Sequence, residues 1–599
     1  MHTLLSNLGN AYTYRFLKLS EDKDLEEAIS FQKQAVSVLP EGHPDMPFLR
    51  MHLGRSYLTR YDFLKDSVSI DQALSNHQCA AESPTGSPSL RFEAARTWAE
   101  LCSLHRGGLR LQAYRQLVTL IPELVWVGMT VRRRFKDIAT IKGVVNQAAA
   151  AAIALREYNL AFEWLEEGRS IVWSQLLQLR TPLDDIRAAN AALADQIEMV
   201  AYQLDQAGNT ERAEISLLDT GLLDQARETP GCKGLLLPKT TVELAHAAQT
   251  RTIALVNVHE DRCDALALLP GSIDVVHIPL LELSYEKVVR IYSSFKKCLT
   301  RANVQQRGHR RPVYPDDEHT SNGDQLNLVL LDLWNNIVEP ILSHLGYLRR
   351  SPDQLLPHLT WCPTGPLAFL PLHAAGRYDD HPARVYDYVI SSYTPTVGAL
   401  VNRKPRSGDF QGILAVGQSE TVGLRPLPGT VTELAKIREI AGDNCQFTAL
   451  DGEMATPTAV LDAMDKHSWL HFACHGSQNY TADPTTSAFH LHDNSMLMLS
   501  AIMRKQIKDG GLAFLSACET ATGDDTLPDE AVHLAAGMMM AGYPSVIGTM
   551  WSIEDADAPL VAEKLYSYLL DGGEADETKA AHALHYAIQY LRDHQETVA

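Results

Sequence analysis

The sequence predicts an α + α/β protein: an N-terminal helical solenoid followed by an α/β sandwich with a mainly parallel sheet. Three observations predict it. Apolar residues recur at helical spacing through the first 180 residues, and a 45-residue shift superimposes part of that pattern on itself. From about residue 245, short apolar runs bounded by turns alternate with helical stretches, the pattern of strands joined by crossover helices. Apolar residues make up 45% and charged residues 21% of the 599, the composition of a packed chain, which excludes wholesale disorder. The domains read as 1–180 helical repeats, 181–244 a helical linker, and 245–410 and 411–599 the two halves of the α/β part.

The repeats come first. Leu4, Leu5, Leu8, Ala11, Tyr12, Phe16 and Leu19 form one helical stripe, and Leu25, Ala28, Ile29, Gln32, Ala35, Val36 and Leu39 form a second. Pro40 ends the second, because it has no N–H and its ring blocks the preceding turn. Leu8-Gly9 and Tyr12 map onto Leu53-Gly54 and Tyr57, and Ala28 onto Ala73, all with the shift of 45. Trp98-Ala99 and Cys102 are a weaker third match. A small residue beside a large one lets neighbouring helices approach closely, as stacked helix pairs require. These repeats resemble tetratricopeptide (TPR) units, with a period longer than the ideal of roughly 34. A further helical pair is predicted at 144–158 and 160–179, with Glu166-Glu167-Gly168-Arg169-Ser170 inside the second helix. The chain enters a helical pattern at its first residues, without the basic start and apolar stretch of a signal peptide, so the reading expects an array cut within a longer one.

In the second half, strands are predicted at 253–258, 265–269, 359–362, 412–417, 468–473, 511–517 and 545–550. Helices are predicted at 283–299, 325–347, 430–441, 529–541 and 557–570. Ligands of such sheets gather where strands end.

Charge and cysteine usage exclude whole classes. With 53 basic and 73 acidic residues the formal charge is −20, which repels phosphate backbones and argues against direct nucleic-acid binding. No apolar run of about 18 residues occurs, so no membrane-spanning helix is expected. Nine unevenly spaced cysteines do not read as a disulfide framework, and a reducing, cytoplasmic setting is expected.

Two strand ends carry the chemistry: Trp469-Leu470-His471-Phe472-Ala473-Cys474-His475-Gly476 and Leu512-Ala513-Phe514-Leu515-Ser516-Ala517-Cys518-Glu519-Thr520. Each apolar strand runs into a reactive residue and then a loop. If the strands are parallel neighbours, an imidazole (His475) and a thiol (Cys518) meet at one sheet edge. Cysteine is nucleophilic as thiolate, and a nearby imidazole lowers its pKa. Cys474 is expected to point to the opposite face and pack in the core.

These segments resemble the CHAT family, caspase-like cysteine peptidases related to separase and found beside TPR arrays. The resemblance also includes Gly365-Pro366-Leu367-Ala368-Phe369-Leu370-Pro371-Leu372-His373-Ala374-Ala375-Gly376, Ala536-Gly537-Met538 and Gly548-Thr549-Met550-Trp551. It implies a caspase-like α/β sandwich in which 245–410 is the non-catalytic half, extending the sheet, and 411–599 the catalytic half. It also implies a cysteine endopeptidase with His475 and Cys518 as the catalytic dyad, His475 protonating the leaving amine. The backbone N–H groups of Gly476 and Cys518 then hold the oxyanion, each such donor being worth about 2.7–4 kcal/mol of barrier. Trp551-Ser552-Ile553-Glu554-Asp555-Ala556-Asp557 resembles the separase segment that receives a basic substrate side chain. Asp555 or Asp557 is one candidate for that contact, and Asp524 or Asp525 after the cysteine is another. Against this, Asp555 and Asp557 also suit a helix N-terminus, with Pro559 in the first turn.

Other candidates carry less. His471 and His475 lie four apart on a strand, without the glutamate of a metalloprotease helix, and no motif calls for a metal or cofactor. No phosphate-binding GxxxxGK[ST] loop occurs. His490 and His492 are expected to share an exposed strand face. The basic run at 307–311, followed by acidic 316–318, reads as a solvated loop, and the sequon at 479–481 as idle. The expected partners are a protein substrate and a protein bound on the repeat surface. The alternatives are a non-proteolytic scaffold whose caspase-like half binds peptides, and a thiol hydrolase acting on small esters or amides.

Overall fold

The structure, a computed structural model, describes residues 1–125, 134, 137–141, 143–180, 186–187, 190–206, 222–228, 234–301, 322–349, 355–401, 408–443, 445–478, 486–517, 520–521, 528–530, 533–551, 553–573 and 575–598. The basic run at 307–311, the acidic 316–318 and the sequon at 479–481 lie outside them. The chain divides into two compact units, Met1–Glu157 with Leu204–Ser216, and Tyr158–Gln203 with Leu217–Ala599.

The first unit is a stack of helical hairpins. It contains α1 (His2–Leu19), α2 (Asp22–Val38), α3 (Met46–Leu64), α4 (Ser67–Ala81), α5 (Pro88–His105), α6 (Arg110–Thr119) and α7 (Val144–Ala154). Helices α1/α2, α3/α4 and α5/α6 pair as neighbours, and α7 packs on α6. The 45-residue repeat is visible in the contacts. A β-carbon on Gly9 would stand 2.6 Å from Gln32 Cγ, and one on Gly54 would stand 2.9 Å from the His77 ring. Gly9 and Gly54, like Gln32 and His77, are 45 apart, so each glycine admits the large side chain of the paired helix. The helix ends repeat as well: α1 and α3 both close on left-handed residues, Ser20 and Lys65.

His77 is buried, with neither ring nitrogen hydrogen-bonded among the described residues. Burial, with Arg55 adding to it, depresses its pKa to about 4. An unfolded histidine titrates near 6.5, so between about pH 6.5 and 4 the folded array binds fewer protons than the unfolded chain. Its stability is therefore full above about pH 6.5 and falls as pH drops toward 4, by up to about 3 kcal/mol. Urea unfolding at pH 7.5 and 4.5 checks this. The acid loss is expected to shrink in His77→Leu, and an equal loss in that variant would contradict the assignment.

The second unit opens with α8 (Tyr158–Glu167) and α9 (Ile171–Arg180). A single helix was expected over 160–179, but the chain bends at Gly168–Ser170, where Ser170 is left-handed with φ 45°. Tertiary contacts explain the bend. The Ser170 N–H donates to the carbonyl of Asp529 at 2.7 Å instead of to a helical carbonyl.

Two five-stranded sheets follow. The first holds β1 (Thr252–Val258), β2 (Cys263–Leu268), β3 (Val275–Pro279), β4 (His358–Pro363) and β7 (Ile390–Tyr393) in the order β3-β2-β1-β4-β7. Strands β1–β3 are antiparallel, and β1, β4 and β7 are parallel. A short hairpin, β5 (Gly376–Arg377) with β6 (Ala383–Arg384), sits between β4 and β7 in the chain. Val288, Ile291 and Phe295 of α10 (Tyr285–Arg301) pack into the core over this sheet.

The second sheet holds β8 (Ile413–Gly417), β9 (Phe447–Asp451), β10 (Trp469–Ala473), β14 (Leu512–Ser516) and β15 (Ser545–Ile547). Its order is β15-β14-β10-β8-β9, parallel throughout. Between β10 and β14 in the chain, β11 (His475–Ser477), β12 (Ala488–His490) and β13 (Met496–Met498) make a small antiparallel sheet. The helices of this half are α11 (Gly429–Ala441), α12 (Leu534–Ala541), α13 (Ala558–Leu569) and α14 (Ala580–Val598). Ile437 and Ala441 of α11, Leu565 and Tyr566 of α13 and Ala583 of α14 enclose Trp469 and Phe514 on one face.

The expectation that 245–410 extends the catalytic sheet is corrected. Among the described residues the two sheets do not join: α14 packs against the edge strands of both, β7 and β15, and a covered edge offers no ladder to a further strand. The helix expected at 529–541 begins only at Leu534, where the His533 ring accepts the Ala536 N–H at 3.2 Å. The seven described cysteines carry no disulfide, and no described helix is long and apolar enough to cross a membrane.

Candidate active site

Strands β10 and β14 are buried along their whole length, because both faces of Trp-Leu-His-Phe-Ala and Leu-Ala-Phe-Leu-Ser are covered. They are adjacent and parallel, with Ala473 opposite Ser516 at their C-terminal ends. Cys474, the next residue, is buried at 1% exposure. The chain then turns into β11, where His475 pairs with His490, Gly476 with Phe489 and Ser477 with Ala488.

The His475 imidazole is 5% exposed, and its Nε2 lies 2.7 Å from the carbonyl oxygen of Arg425. A carbonyl only accepts, so Nε2 carries the hydrogen and donates it, which leaves Nδ1 as the acceptor of the neutral ring. Arg425 lies in the loop after β8, whose Gln418 N–H donates to Ala473 O at 2.9 Å and whose Leu427 N–H donates to Ser419 O at 2.7 Å. That loop is therefore fastened to the same strand end that delivers His475.

The residues flanking Cys518 are tied to the end of β15. The Thr549 hydroxyl donates to Ala517 O at 2.6 Å, the Thr549 N–H donates to Thr520 Oγ1 at 3.0 Å, and the Ala521 N–H donates to Thr549 O at 2.9 Å. Thr520 is fully buried and its carbonyl accepts the Ala535 N–H of α12 at 2.9 Å. Gly548 makes room for it, since a β-carbon there would stand 2.9 Å from Thr520 Oγ1. The Gly548-Thr549 pair thus braces the strand end before and after position 518. Cys518 itself, with Asp524 and Asp525, lies outside the described residues.

Of the other acids, Asp555 accepts the Gly429 N–H through Oδ2 at 2.7 Å, at the start of α11. Gly429 permits this approach, because a β-carbon would meet the Asp555 carbonyl at 2.2 Å. Asp557 is the N-cap residue of α13, with proline in the first turn, and its side chain makes no capping bond. Trp551 turns toward the first half of the unit, with its ring edge-on to Phe295 at 5.8 Å and stacked on His373 at 6.4 Å.

The remaining histidines are engaged elsewhere. His471 is fully buried, with Nε2 3.1 Å from Glu433 Oε1 and Nδ1 3.2 Å from the Tyr566 hydroxyl. Burial pushes the Tyr566 hydroxyl well above its ordinary range. The expectation of an exposed His490–His492 face is corrected. His490 in β12 is half-buried, with Nε2 2.9 Å from Ser477 Oγ and Nδ1 2.6 Å from Asn494 Oδ1, and His492 lies in the turn that follows. Among the described residues, no three His, Cys, Asp or Glu side chains gather to hold a metal.

Sequence reading missed the Arg425 carbonyl, which has no side-chain signature, and the Thr520–Thr549 brace. The adjacent Gly548-Thr549 in a strand-end motif was the signal for the second.

Residues 329–598 match the family model described as the CHAT domain. Among solved structures, the chain is similar to the Saccharomyces cerevisiae separase–securin complex in two crystal structures, at 2.6 and 3.0 Å. Each is 10% identical with a TM-score of 0.35, and each match covers 98% of this chain and 49% of the other. The chain therefore spans about half the length of those relatives. No curated protein matches the chain.

Proposed function

We propose that this protein is a cysteine endopeptidase of caspase/separase-like type that uses His475 and Cys518 as its dyad. The observation that carries the reading is the parallel pairing of β10 with β14, because positions 475 and 518 each follow the Ala473–Ser516 pair by two residues. The CHAT domain match and the Arg425 carbonyl, which selects the His475 tautomer, support it further. So does the state of five of the other thiols: burial pushes Cys102 and Cys263 up to about 11 and raises Cys298, Cys362 and Cys445, the condition of unreactive cysteines.

In this reading Nδ1 of His475 takes the thiol proton and the Cys518 sulfur attacks the scissile carbonyl. The backbone N–H groups of Gly476 and Cys518 hold the resulting oxyanion. The imidazolium then protonates the leaving amine, and water hydrolyses the thioester. Asp524, Asp525, Asp555 and Asp557 are the candidates for a basic substrate side chain, and the bond from Gly429 competes for Asp555. The TPR-like array binds a partner protein that recruits substrate or releases autoinhibition.

A peptide-library digest with wild type and Cys518→Ala tests the reading. Cleavage is expected with wild type and none with the variant. Full cleavage by the variant would remove the assignment, and peptide binding without cleavage by either protein would establish the scaffold alternative.

A further inference from the structure

The two five-stranded sheets end in the edge strands β3, β7, β15 and β9, and the first three are covered. Helix α14 packs against β7 and β15, and α8 packs against β3, where the Tyr158 ring stacks on His277 at 4.6 Å. Strand β9 differs. Helix α11 crosses the face of β9, β8 and β10, and among the described residues nothing hydrogen-bonds to the outer side of β9. All five of its residues, Phe447 to Asp451, are half-buried. An edge strand offers its outward N–H and C=O groups as a ladder, and proteins blunt such edges with lysine, proline or a bulge. The run Phe447-Thr448-Ala449-Leu450 contains neither lysine nor proline, and its pairing with β8 runs without a bulge.

The register shows which groups face outward. Ile413 of β8 stands opposite Phe447, and its N–H donates to Gln446 O at 2.8 Å. In a parallel ladder a residue bonds to the two neighbours of its partner, so Gln446, Thr448 and Leu450 turn their backbone groups to β8. Phe447, Ala449 and Asp451 turn theirs away. Their side chains lie on the α11 face. A β-carbon on Gly417 would meet both Leu434 of α11 at 2.7 Å and Asp451 Oδ1 at 3.2 Å, and the Arg438 guanidinium of α11 stands 5.3 Å over the Phe447 ring. Among the described residues neither Arg438 nor Asp451 has an ion-pair partner. The edge thus carries a cation at one end and a carboxylate at the other, roughly 13 Å apart along the strand.

We propose that β9 is the interface through which two copies of this chain pair, antiparallel and centred on Ala449, so that their sheets run on into each other. A two-fold axis at Ala449 sets Phe447 opposite Asp451 of the second copy, and each strand's outward N–H and C=O groups bond to the other's. Directly opposed residues share a face, so Asp451 of each copy comes under Arg438 of the other. The charges select this occupant and this direction: a parallel pairing would set Arg438 beside Arg438 and Asp451 beside Asp451. Because the paired strands run oppositely, the strand ends that carry His475 lie at opposite ends of the joined sheet. The pairing does not depend on the dyad reading.

The experiment is sedimentation velocity of the full chain across protein concentration, with amide exchange as the second readout. Wild type is expected to reach twice the mass of one chain by about 100 μM, with exchange at Phe447 and Ala449 slowing as the dimer forms. Ala449→Pro removes an outward N–H, a loss that an edge strand tolerates, so this variant is expected to keep its circular dichroism and to stay monomeric. Arg438→Glu and Asp451→Lys are each expected to weaken dimerisation at least about fivefold, and the two together to return it to within a few-fold of wild type. A wild type still monomeric at about 100 μM overturns the proposal. So does a dimer that persists in Ala449→Pro, or one in which exchange at Ala449 does not slow. If Ala449→Pro fails to fold, the charge exchange decides, and a double variant that recovers nothing overturns the pairing.

Discussion

Replacing His475 by alanine is expected to lower kcat/KM for a cleaved peptide by about 10²–10⁴, the range for loss of a positioned general acid–base. The size follows from the site. The ring is 5% exposed and its Nε2 hydrogen is committed to Arg425 O at 2.7 Å, so no solvent group takes its place in the same orientation. Arg425→Ala is the matched control. It removes a side chain but keeps the carbonyl that selects the tautomer, and activity is expected within a few-fold of wild type. Initial rates on a peptide chosen from the library digest decide both. A His475→Ala protein cleaving within threefold of wild type would refute the role given to this imidazole.

The largest expected effect on stability lies at Gly412. This residue enters β8 with φ +85°, and a β-carbon would stand 2.1 Å from the backbone oxygen of Gln446. The backbone is held on both sides: Gly412 O accepts the Trp469 N–H at 3.1 Å, and Gln446 O accepts the Ile413 N–H at 2.8 Å. Left-handed strain in a residue with a β-carbon costs about 1–2 kcal/mol. Overpacking adds about 1–3 kcal/mol, because neither carbonyl can move without breaking a ladder bond. Gly412→Ala is therefore expected to destabilise the half that holds β8 by about 2–5 kcal/mol in urea unfolding. Gly442→Ala, with φ +57° and nothing within 4 Å, carries only the conformational part. Equal losses at the two positions would show that the overlap with Gln446 does not matter.

Legibility followed burial. Strands β1, β2, β4, β8, β10 and β14 are almost wholly buried and mostly apolar, and each was read within a few residues of its observed ends. Strand β9 was missed because all five of its residues are half-buried, so no apolar run marks it. Strand β3, at the edge of its sheet, was missed because only Val275 and Ile278 are buried and His277 and Pro279 interrupt the run. The C-terminal helix α14 went unread although Ala580, Ala583 and Ala587 mark its buried stripe, since small residues give a weak hydrophobic signal. The imidazole of the candidate site was legible because it stands at the end of a recognisable strand within a family motif. Its hydrogen-bond partner, fifty residues upstream, was not.

The amino-acid sequence by itself determined the helical spacing of the array, the 45-residue repeat and the apolar runs that become buried parallel strands. These are local patterns, set by which residues must leave water at a given backbone period. Only the tertiary structure decided that β10 and β14 lie side by side, that the helix after Tyr158 breaks at Ser170, and that a main-chain carbonyl orients His475. Each of these joins groups far apart in the chain through backbone atoms. Every residue carries those atoms, so no residue type announces them.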